Sequence, residues 1–149
     1  MGRYTFRVHV DTPPEQVFAL WTNLDRMAEW VGGVTGVTDV TGPVDQVGTR
    51  YTTQFGKMSS PTEVIAVDRP RLFRTRFGNR ILRGESQAIF EPDGNGTSMT
   101  QEFWTKGVIA AIAARLFATG SYKGSFRGEL QEFARIASAE AKQTPSAGP

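Results

Sequence analysis

Six short segments in which polar and apolar residues alternate follow one another through the middle of the chain, and they constrain the fold more than any other feature. They are residues 34–40, 48–55, 61–67, 72–77, 81–90 and 97–106. A period of two is typical of strands that bury one face. Turn signals such as Gly42-Pro43 and Gly78-Asn79 separate the segments. Connections this short favour antiparallel pairing of consecutive strands.

The first thirty residues add a seventh strand and a short helical insert. Residues 3–10 also alternate between polar and apolar, which predicts a strand. The sequence DTPPE at residues 11–15 predicts a helix start, with Asp11 or Thr12 as the N-cap and a proline in the first turn. A second short helix is expected to follow, until the Gly-Gly pair at residues 32–33 ends it.

Residues 108–139 are the last long apolar stretch and are expected to carry the C-terminal helix. Residues 108–118, VIAAIAARLFA, are apolar nearly all round, whereas residues 122–139 are amphipathic. The positions of the second part that are expected to face inward are Phe126, Leu130, Phe133 and Ala137. The predicted fold class is α+β, a seven-stranded curved antiparallel sheet that grips a long C-terminal helix, with two short helices between strands 1 and 2. We expect one domain over residues 1–140 and a disordered tail over residues 141–149.

The composition excludes several classes of function. The chain has 149 residues, of which 39% are hydrophobic, and this suits one globular domain. Lys and Arg total 17 against 15 Asp and Glu, so no nucleic-acid partner is expected. No apolar run approaches the roughly 20 residues that span a bilayer, and the first residues do not resemble a signal peptide. A cytoplasmic location without membrane insertion is therefore expected.

Residues that carry chemistry are few. The chain has no cysteine, which excludes disulfides, thiolate metal sites and cysteine nucleophiles. His9 is the only histidine and falls on the polar face of the first strand, so a surface position is expected and a metal site is not. No phosphate-binding, dinucleotide-binding or hydrolase motif lies between the predicted strand and helix that such a motif requires. We therefore expect neither a metal nor a cofactor.

Several local motifs follow one another through nearly the whole chain. They are VHVDTPPEQVFALWTNLDRMAEWVGGV at residues 8–34, GTRY at 48–51, EVI at 63–65, Arg69-Pro70, and GNGT at 94–97. In these motifs the chain resembles the START-like helix-grip superfamily, also called Bet v 1-like or SRPBCC, and most of all its polyketide cyclase/dehydrase-like branch. The resemblance implies an apolar cavity between the sheet and the last helix. The family includes lipid and hormone binders, aromatases and cyclases, so the fold leaves the chemistry open.

The alternation predicts which side chains face that cavity. The inward sets are Tyr51, Thr53 and Phe55; Phe73, Thr75 and Phe77; Leu82, Gly84, Ser86, Ala88 and Phe90; and Met99, Gln101 and Phe103. Aromatic walls with a few polar groups are typical of a ligand pocket, but a plain core is the better explanation of the aromatic residues alone. For Gln101 both interpretations stay open. The candidate ligand-binding residues are Trp30, Tyr51, Thr53, Phe55, Phe73, Thr75, Phe77, Ser86, Gln101, Phe103, Phe117 and Tyr122. Catalytic residues are not identified.

The C-terminal stretch carries two further features with open interpretations. Gly120, Gly124 and Gly128 are spaced by four; Gly120 is expected to break the helix, and the other two to allow either close approach to the sheet or space for a ligand. Residues 108–118 are interpreted as a lid over the cavity, a dimer contact, a membrane-touching surface, or an ordinary buried segment.

Three hypotheses about function follow from the sequence. The leading one is binding of a hydrophobic small molecule, such as a lipid or an aromatic or polyketide-like compound, between the sheet and the C-terminal helix. The second is a cyclase or dehydratase acting in the same cavity, with Tyr51, Ser86, Gln101 and Tyr122 as polar groups and no recognisable base among them. The third is a protein-interaction module, a homodimer included, that uses residues 108–118.

Overall fold

The structure confirms the predicted α+β architecture. This computed structural model describes residues 2–31, 34–56, 58–78, 83–106 and 121–143, with all their side chains except those of residues 2, 55, 58, 106, 121–126 and 141–143. The strands are β1 (Gly2–Val10), β2 (Gly36–Thr38), β3 (Arg50–Phe55), β4 (Met58–Asp68), β5 (Leu72–Gly78), β6 (Arg83–Asp93) and β7 (Gly96–Lys106). The helices are α1 (Pro14–Trp21), a 3-10 helix (Leu24–Glu29) and α2 (Ser121–Gln143).

The strands form one antiparallel sheet in the order β1-β7-β6-β5-β4-β3-β2. Strands β2 to β7 therefore form a meander, as the short connections predict, and β1 pairs with β7. Strand β2 is shorter than expected because Asp39 has a φ of 57°, a left-handed conformation that ends the extended backbone. The register of β4 against β5 shifts between Val64 and Ala66, which marks a β-bulge.

The predicted N-cap of α1 is wrong. The cap position is Pro13, which offers no side-chain cap, and Pro14 is the first helical residue. Thr12 does not cap because its hydroxyl donates a hydrogen bond to the carbonyl oxygen of Ala137 in α2, at 2.9 Å. The backbone N–H of Asp11 donates to Ser138 Oγ at 3.0 Å. The start of α1 therefore anchors the last helix rather than capping itself.

The second short helix lies where the sequence predicts it, but it has the tighter 3-10 geometry. Its Arg26 forms ion pairs with Glu29 on the same helix and with Glu140 on α2, at 2.7 Å and 2.5 Å. Arg26 donates hydrogen bonds to both carboxylates, and these bonds raise the pKa of Arg26. The bond to Glu29 has the larger effect. The 3-10 helix is thus tied to the C-terminal part of α2, which continues past residue 140, where the domain was expected to end.

An aromatic core fills the space between α1, the sheet and the second half of α2. Phe133 is fully buried, and its ring centre lies 5.0 Å from the rings of both Trp21 and Trp30. The Phe18 ring meets that of Phe90 edge-on at 5.6 Å. Leu130 and Ala137 are also buried, so three of the four inward positions predicted for the helix are confirmed. The Phe126 side chain lies outside the described residues.

Gly128 is exposed, and nothing lies within 4 Å of the Cβ that another residue would carry there. The predicted close approach between helix and sheet is therefore wrong at this position. Gly124 lies in α2, but its surroundings, like residue 120 and the whole of residues 108–118, are outside the described part. In the described ranges, none of the helices is long and apolar enough to cross a membrane.

Candidate functional site

The inner face of the sheet, which faces α2, is tightly packed at one end and loosely packed at the other. Along β7, Met99 is fully buried, Gln101 is 7% exposed, and Phe103 and Thr105 are half-buried. The neighbouring strand β6 shows the same trend, since Phe90 is fully buried and Ser86 is half-buried. On β3 the trend is absent, because Tyr51 and Thr53 towards the open end are buried. We call the end at Phe90 and Met99 the closed end, and the end at Phe103 the open end. The candidate site lies towards the open end.

Five polar side chains follow one diagonal across this inner face. The strand register pairs Gln101 of β7 with Ala88 of β6, and Ser86, two residues from Ala88, with Thr75 of β5. Thr62 of β4 pairs with Phe77, which lies two residues from Thr75 on β5. Thr62 also pairs with Tyr51 of β3. One polar residue from each of five neighbouring strands therefore lies on a line that runs from the deeper part of the face towards the open end. We call this set the polar diagonal: Gln101, Ser86, Thr75, Thr62 and Tyr51.

The polar diagonal borders space that water can enter. Every fully enclosed side-chain nitrogen or oxygen among the described residues has a hydrogen-bond partner. In that same part of the chain, the side chains of Gln101, Ser86, Thr75 and Tyr51 form no hydrogen bond, whereas Thr62 donates to the Ser60 carbonyl oxygen at 3.5 Å. The polar atoms of the first four are therefore not fully enclosed, although three of the residues are at most 7% exposed.

Apolar side chains flank the polar diagonal on both sides. Phe73 and Val64 are buried next to Thr75. Phe103 is half-buried next to Ser86, and Tyr4 is half-buried next to Phe103. The Phe77 ring lies against Gly84, where a Cβ would collide with the Trp104 carbonyl oxygen. Glycine at this position therefore leaves room for the Phe77 ring against the strand. Apolar walls with isolated polar groups are the usual composition of small-molecule sites.

The inner face is uncharged in the described part of the chain, because the inward positions of its strands carry no Asp, Glu, Lys, Arg or His. Burial raises the pKa of the Tyr51 phenol well above its ordinary value of 10.0, so this group stays protonated even at the alkaline pH at which an exposed tyrosine ionises. The inner face therefore offers neutral hydrogen-bond donors and acceptors. A proton acceptor strong enough to act as a base is absent from these positions.

The outer face of the sheet carries charged side chains that form ion pairs with one another. Arg74 forms an ion pair with Glu85 at 2.6 Å, and Arg3 forms one with Glu102 at 3.1 Å. Both guanidinium groups also lie over the Trp104 ring, at 4.9 Å and 5.5 Å from its centre. These ionic interactions of the described strands lie on the side of the sheet away from α2.

An open depression of about 480 Å³ lies over β3 to β5, near the edge of the sheet. Its charged side chains belong to the outer face or the adjoining loop. The lining residues are Asp39, Thr41, Arg50, Tyr51, Thr52, Pro61, Thr62, Glu63, Arg76, Phe77, Gly78 and Arg83. Because Arg50, Glu63 and Arg76 are cross-strand neighbours of alternating charge, the depression does not match the apolar cavity that the sequence predicts.

Comparison with known proteins agrees with this geometry. A family model described as "Polyketide cyclase / dehydrase and lipid transport" matches residues 1–138. The chain belongs to this family. No curated protein matches the chain.

Solved structures of low sequence identity share the fold over almost the whole length. A protein from Thermus thermophilus has a TM-score of 0.70 at 17% identity, and the match covers 94% of this chain and 99% of that one. A Mesorhizobium loti protein has a TM-score of 0.72 at 15% identity, with 97% and 99% covered. A hypothetical protein of Helicobacter pylori has a TM-score of 0.75 at 10% identity, with 91% and 88% covered. These similarities establish the helix-grip fold of the family, not a ligand.

Most residues that the sequence proposes for the cavity of this family lie together on the inner face. Tyr51, Thr53, Phe73, Thr75 and Gln101 are buried there, and the half-buried ones are Phe77, Ser86 and Phe103. Their contact with a ligand stays a prediction. Two neighbours were missed, Tyr4 and Thr62, although the alternation of residues 3–10 and 61–67 already places both on the inward side.

The remaining candidates divide into two groups. Trp30 is buried in the aromatic core, where it contacts Phe133 and stacks on Trp21 at 6.3 Å, so its position is at the packed side of the molecule. Phe117 and the side chains of Phe55 and Tyr122 lie outside the described residues, as does the 108–118 segment proposed for protein interaction. In the described ranges, no group of three His, Asp or Glu residues is placed to hold a metal ion.

Two motifs behind the family resemblance have structural roles at the closed end. Arg69 donates hydrogen bonds to Glu15 of α1 at 2.7 Å and to Asp45 at 2.9 Å. Its guanidinium carbon lies 5.2 Å from the centre of the Phe18 ring. His9, in the other motif, contacts Asp11 and Asp93, each at 3.0 Å, and is exposed as predicted. Both residues connect loops through these contacts. Neither is among the residues of the inner face.

Proposed function

We propose that the protein binds a hydrophobic small molecule, such as a lipid or an aromatic or polyketide-like compound, between the inner face of the sheet and α2. The observation that carries the proposal is the polar diagonal, because four of its five members form no side-chain hydrogen bond within the described residues, lie among apolar side chains and border accessible space. Buried polar groups without partners are costly, so a fold keeps them where water or a ligand supplies the missing hydrogen bonds.

The packing of the molecule supports the same proposal. The closed end holds the fully buried Phe18, Phe90 and Phe133, which are enough to fix α2 on the sheet without help from the open end. Ser86 and Phe103 are only half-buried, so part of their surface is accessible to a ligand at the open end. The family description, which joins cyclases and dehydrases with lipid transport, agrees with a site of this kind.

Binding can be tested directly on the purified protein. Native mass spectrometry after gentle extraction is expected to detect a copurifying apolar compound at a 1:1 ratio. Titration with the neutral dye Nile red is expected to give a saturable fluorescence increase that an extract of the host's apolar compounds reverses. The absence of both a bound compound and saturable dye binding would refute the proposal.

A second candidate function is a cyclase or dehydratase that acts on the bound molecule. The observation in its favour is the buried Tyr51 hydroxyl, which has no hydrogen-bond partner within the described residues and is able to donate a hydrogen bond to a reacting carbonyl. Ser86, Gln101 and Tyr122 are the other polar candidates. The described inner face carries no carboxylate or imidazole, so catalysis there would rest on holding the substrate in a reactive shape.

Single substitutions test the catalytic candidate. If the protein is an enzyme that uses these groups, Tyr51→Phe and Gln101→Ala lower kcat on a substrate while binding persists. Turnover that survives changes at Tyr51, Ser86, Gln101 and Tyr122 would show that none of the four acts in catalysis. Binding without any turnover leaves the first proposal standing alone.

A further inference from the structure

We propose that the open depression over β3 to β5 is a second binding site, which takes a small organic molecule that carries a phosphate group. The depression has a volume of about 480 Å³, and its lining includes the exposed side chains of Arg50, Arg76 and Arg83. The strand register places these three arginines on the outer side of the sheet, away from α2. This site is therefore independent of the hydrophobic site between the sheet and α2.

The three arginines of the depression share one property, which is the lack of an ion pair. Most arginines in the described part of the chain form an ion pair with Asp or Glu. Those without one are Arg7, Arg50, Arg76, Arg83 and Arg127. More than half of this set therefore borders a single depression. Guanidinium groups gathered in one place without counter-charges create a positive potential that attracts anions.

The strand register explains why Arg76 has no partner. On β6 the residue opposite is Glu85, but Glu85 forms its ion pair with Arg74, at 2.6 Å. On β4 the residue opposite is Glu63, which is half-buried and forms no ion pair with any described arginine. The Arg76 guanidinium group is therefore available to a ligand.

Gly78 leaves a space between two of the arginines. The register pairs Gly78 with Arg83, and Arg76 lies two residues before Gly78 on the same side of β5. A residue without a side chain at this position leaves room for a group of the size of phosphate between the two guanidinium groups. Gly78 also has a φ of 109°, a left-handed conformation that other residues rarely adopt. The gap is therefore a consequence of the backbone itself.

The pairing of β4 with β5 ends at the same place. Its last pair is Thr62 with Phe77, whereas β5 and β6 stay paired as far as Gly78 and Arg83. The preceding residue of β4 is Pro61, which has no backbone N–H to donate to a neighbouring strand. The end of the ladder opens the surface between β4 and β5, and the residues on both sides of it line the depression.

Phosphate suits this group of arginines better than a carboxylate does. A phosphate monoester carries nearly two negative charges at neutral pH and has three strongly accepting oxygen atoms. It can therefore accept charge-assisted hydrogen bonds from Arg76 and Arg83 at the same time. Arg50 is two strands away from Arg76, roughly 10 Å along the sheet. A ligand that also reaches Arg50 is larger than inorganic phosphate.

The other polar residues of the depression specify the rest of the ligand. Asp39 and Glu63 belong to the same lining. Their carboxylates repel a second phosphate group or a nucleic-acid backbone, but they accept hydrogen bonds from hydroxyl groups. Thr41 and Thr52 add two hydroxyl groups. The chemical class is therefore a phosphate monoester of a small polyol, either free in solution or as the head group of a lipid.

The first test follows the backbone amide signals of the isotope-labelled protein by NMR during titration with glycerol 3-phosphate at about pH 7.5, where the phosphate is doubly ionised. We expect saturable shifts centred on Gly78 and Arg83, with a dissociation constant that rises as NaCl is added to about 0.15 M. Glycerol, which lacks the phosphate, should cause no saturable shift.

The second test separates the two sources of such a group. Cosedimentation with phosphatidylcholine vesicles that do or do not contain phosphatidate measures binding to the same phosphate monoester on a lipid. Binding to the phosphatidate vesicles alone assigns the site to a lipid head group, and saturable binding of glycerol 3-phosphate assigns it to a soluble ligand. Failure of both probes would overturn the proposal, as would equal binding of glycerol.

Substitutions locate the binding within the molecule. Arg76→Gln and Arg83→Gln are each expected to weaken binding of the phosphate probe about tenfold, the usual effect of losing a charge-assisted hydrogen bond. Arg127→Gln is the matched control and should leave the affinity unchanged, because Arg127 is exposed on α2 and also forms no ion pair with a described residue. Equal losses in all three variants, or no loss in the first two, would contradict the proposal. Nile red binding should be unchanged in every variant, so the two sites fail or stand separately.

Discussion

Phe133 shows how single residues make the closed end rigid. Its ring is fully buried and touches both Trp21 and Trp30, so no solvent reaches the contact. We predict that Phe133→Ala lowers the free energy of unfolding by about 3–5 kcal/mol, measured by urea denaturation, because a large cavity replaces the ring. Arg135→Ala on the same helix removes only an exposed pair with Glu132 and should leave the free energy of unfolding nearly unchanged. A small effect of the Phe133 change would contradict the packing described here.

Tyr51 provides a prediction on pH at the same scale. Its pKa in the folded protein is raised by burial above 10.0, so the unfolded chain loses this proton first as the pH rises. The stabilisation is therefore complete below the unfolded pKa and is lost as the pH rises through the folded one. Above pH 10 we expect the wild type to lose up to about 1.4 kcal/mol of stability per pH unit more than Tyr51→Phe does. Parallel curves for the two proteins would show that Tyr51 is not buried as described.

The α2 helix is the element on which the site depends, and its second half is held by three contacts near the C-terminus. They join the Thr12 hydroxyl to the Ala137 carbonyl oxygen, the Asp11 N–H to Ser138, and Arg26 to Glu140. These contacts hold α2 in place without using any side chain of the open end. A site can therefore form between α2 and the sheet while the closed end keeps the two together.

Thr12→Val tests this attachment. The substitution keeps the shape of the side chain and removes its hydrogen bond to α2, so we predict a loss of about 1 kcal/mol in the free energy of unfolding. Amide hydrogen exchange in the second half of α2 should also become faster. Thr52→Val is the control, since its hydroxyl on the outer side of β3 has no hydrogen-bond partner among the described residues. If both variants behave alike, Thr12 does not anchor the helix.

At this scale the sequence predicts elements better than their ends. Period-two alternation identifies the strands and their inward sides because one face of each is buried, and Thr75, Ser86 and Gln101 lie where it places them. The observed ends of the elements differ from the predicted ones because they depend on backbone conformation and on contacts that the alternation does not reveal. Asp39 terminates β2 through a positive φ, and Thr12 leaves the cap of α1 for a partner 125 residues away, a contact that depends on tertiary structure.

At the scale of the whole molecule, the two faces of the sheet carry different kinds of polar side chain. Ion pairs and arginine–tryptophan contacts lie outside, and neutral unpaired groups lie inside. The sequence predicts the inner set residue by residue, but the diagonal appears only when strands are aligned, because register and the bulge near Val64 determine which polar residues become neighbours. Residues 108–118 lie outside the described residues, so their interpretation as a lid, a dimer contact, a membrane-touching surface or an ordinary buried segment stays a prediction.

The proposed ligand site is tested most directly by a substitution that fills it with a large side chain. Ser86→Trp places an indole ring on the inner face at the middle of the polar diagonal, whereas Gln87→Trp places the same ring on the outer face of the same strand. We predict that the first variant loses saturable Nile red binding by at least about tenfold, since the ring occupies the space a ligand needs, while the second keeps wild-type affinity. Unchanged binding in Ser86→Trp, or an equal loss in both folded variants, would contradict a ligand site between the sheet and α2.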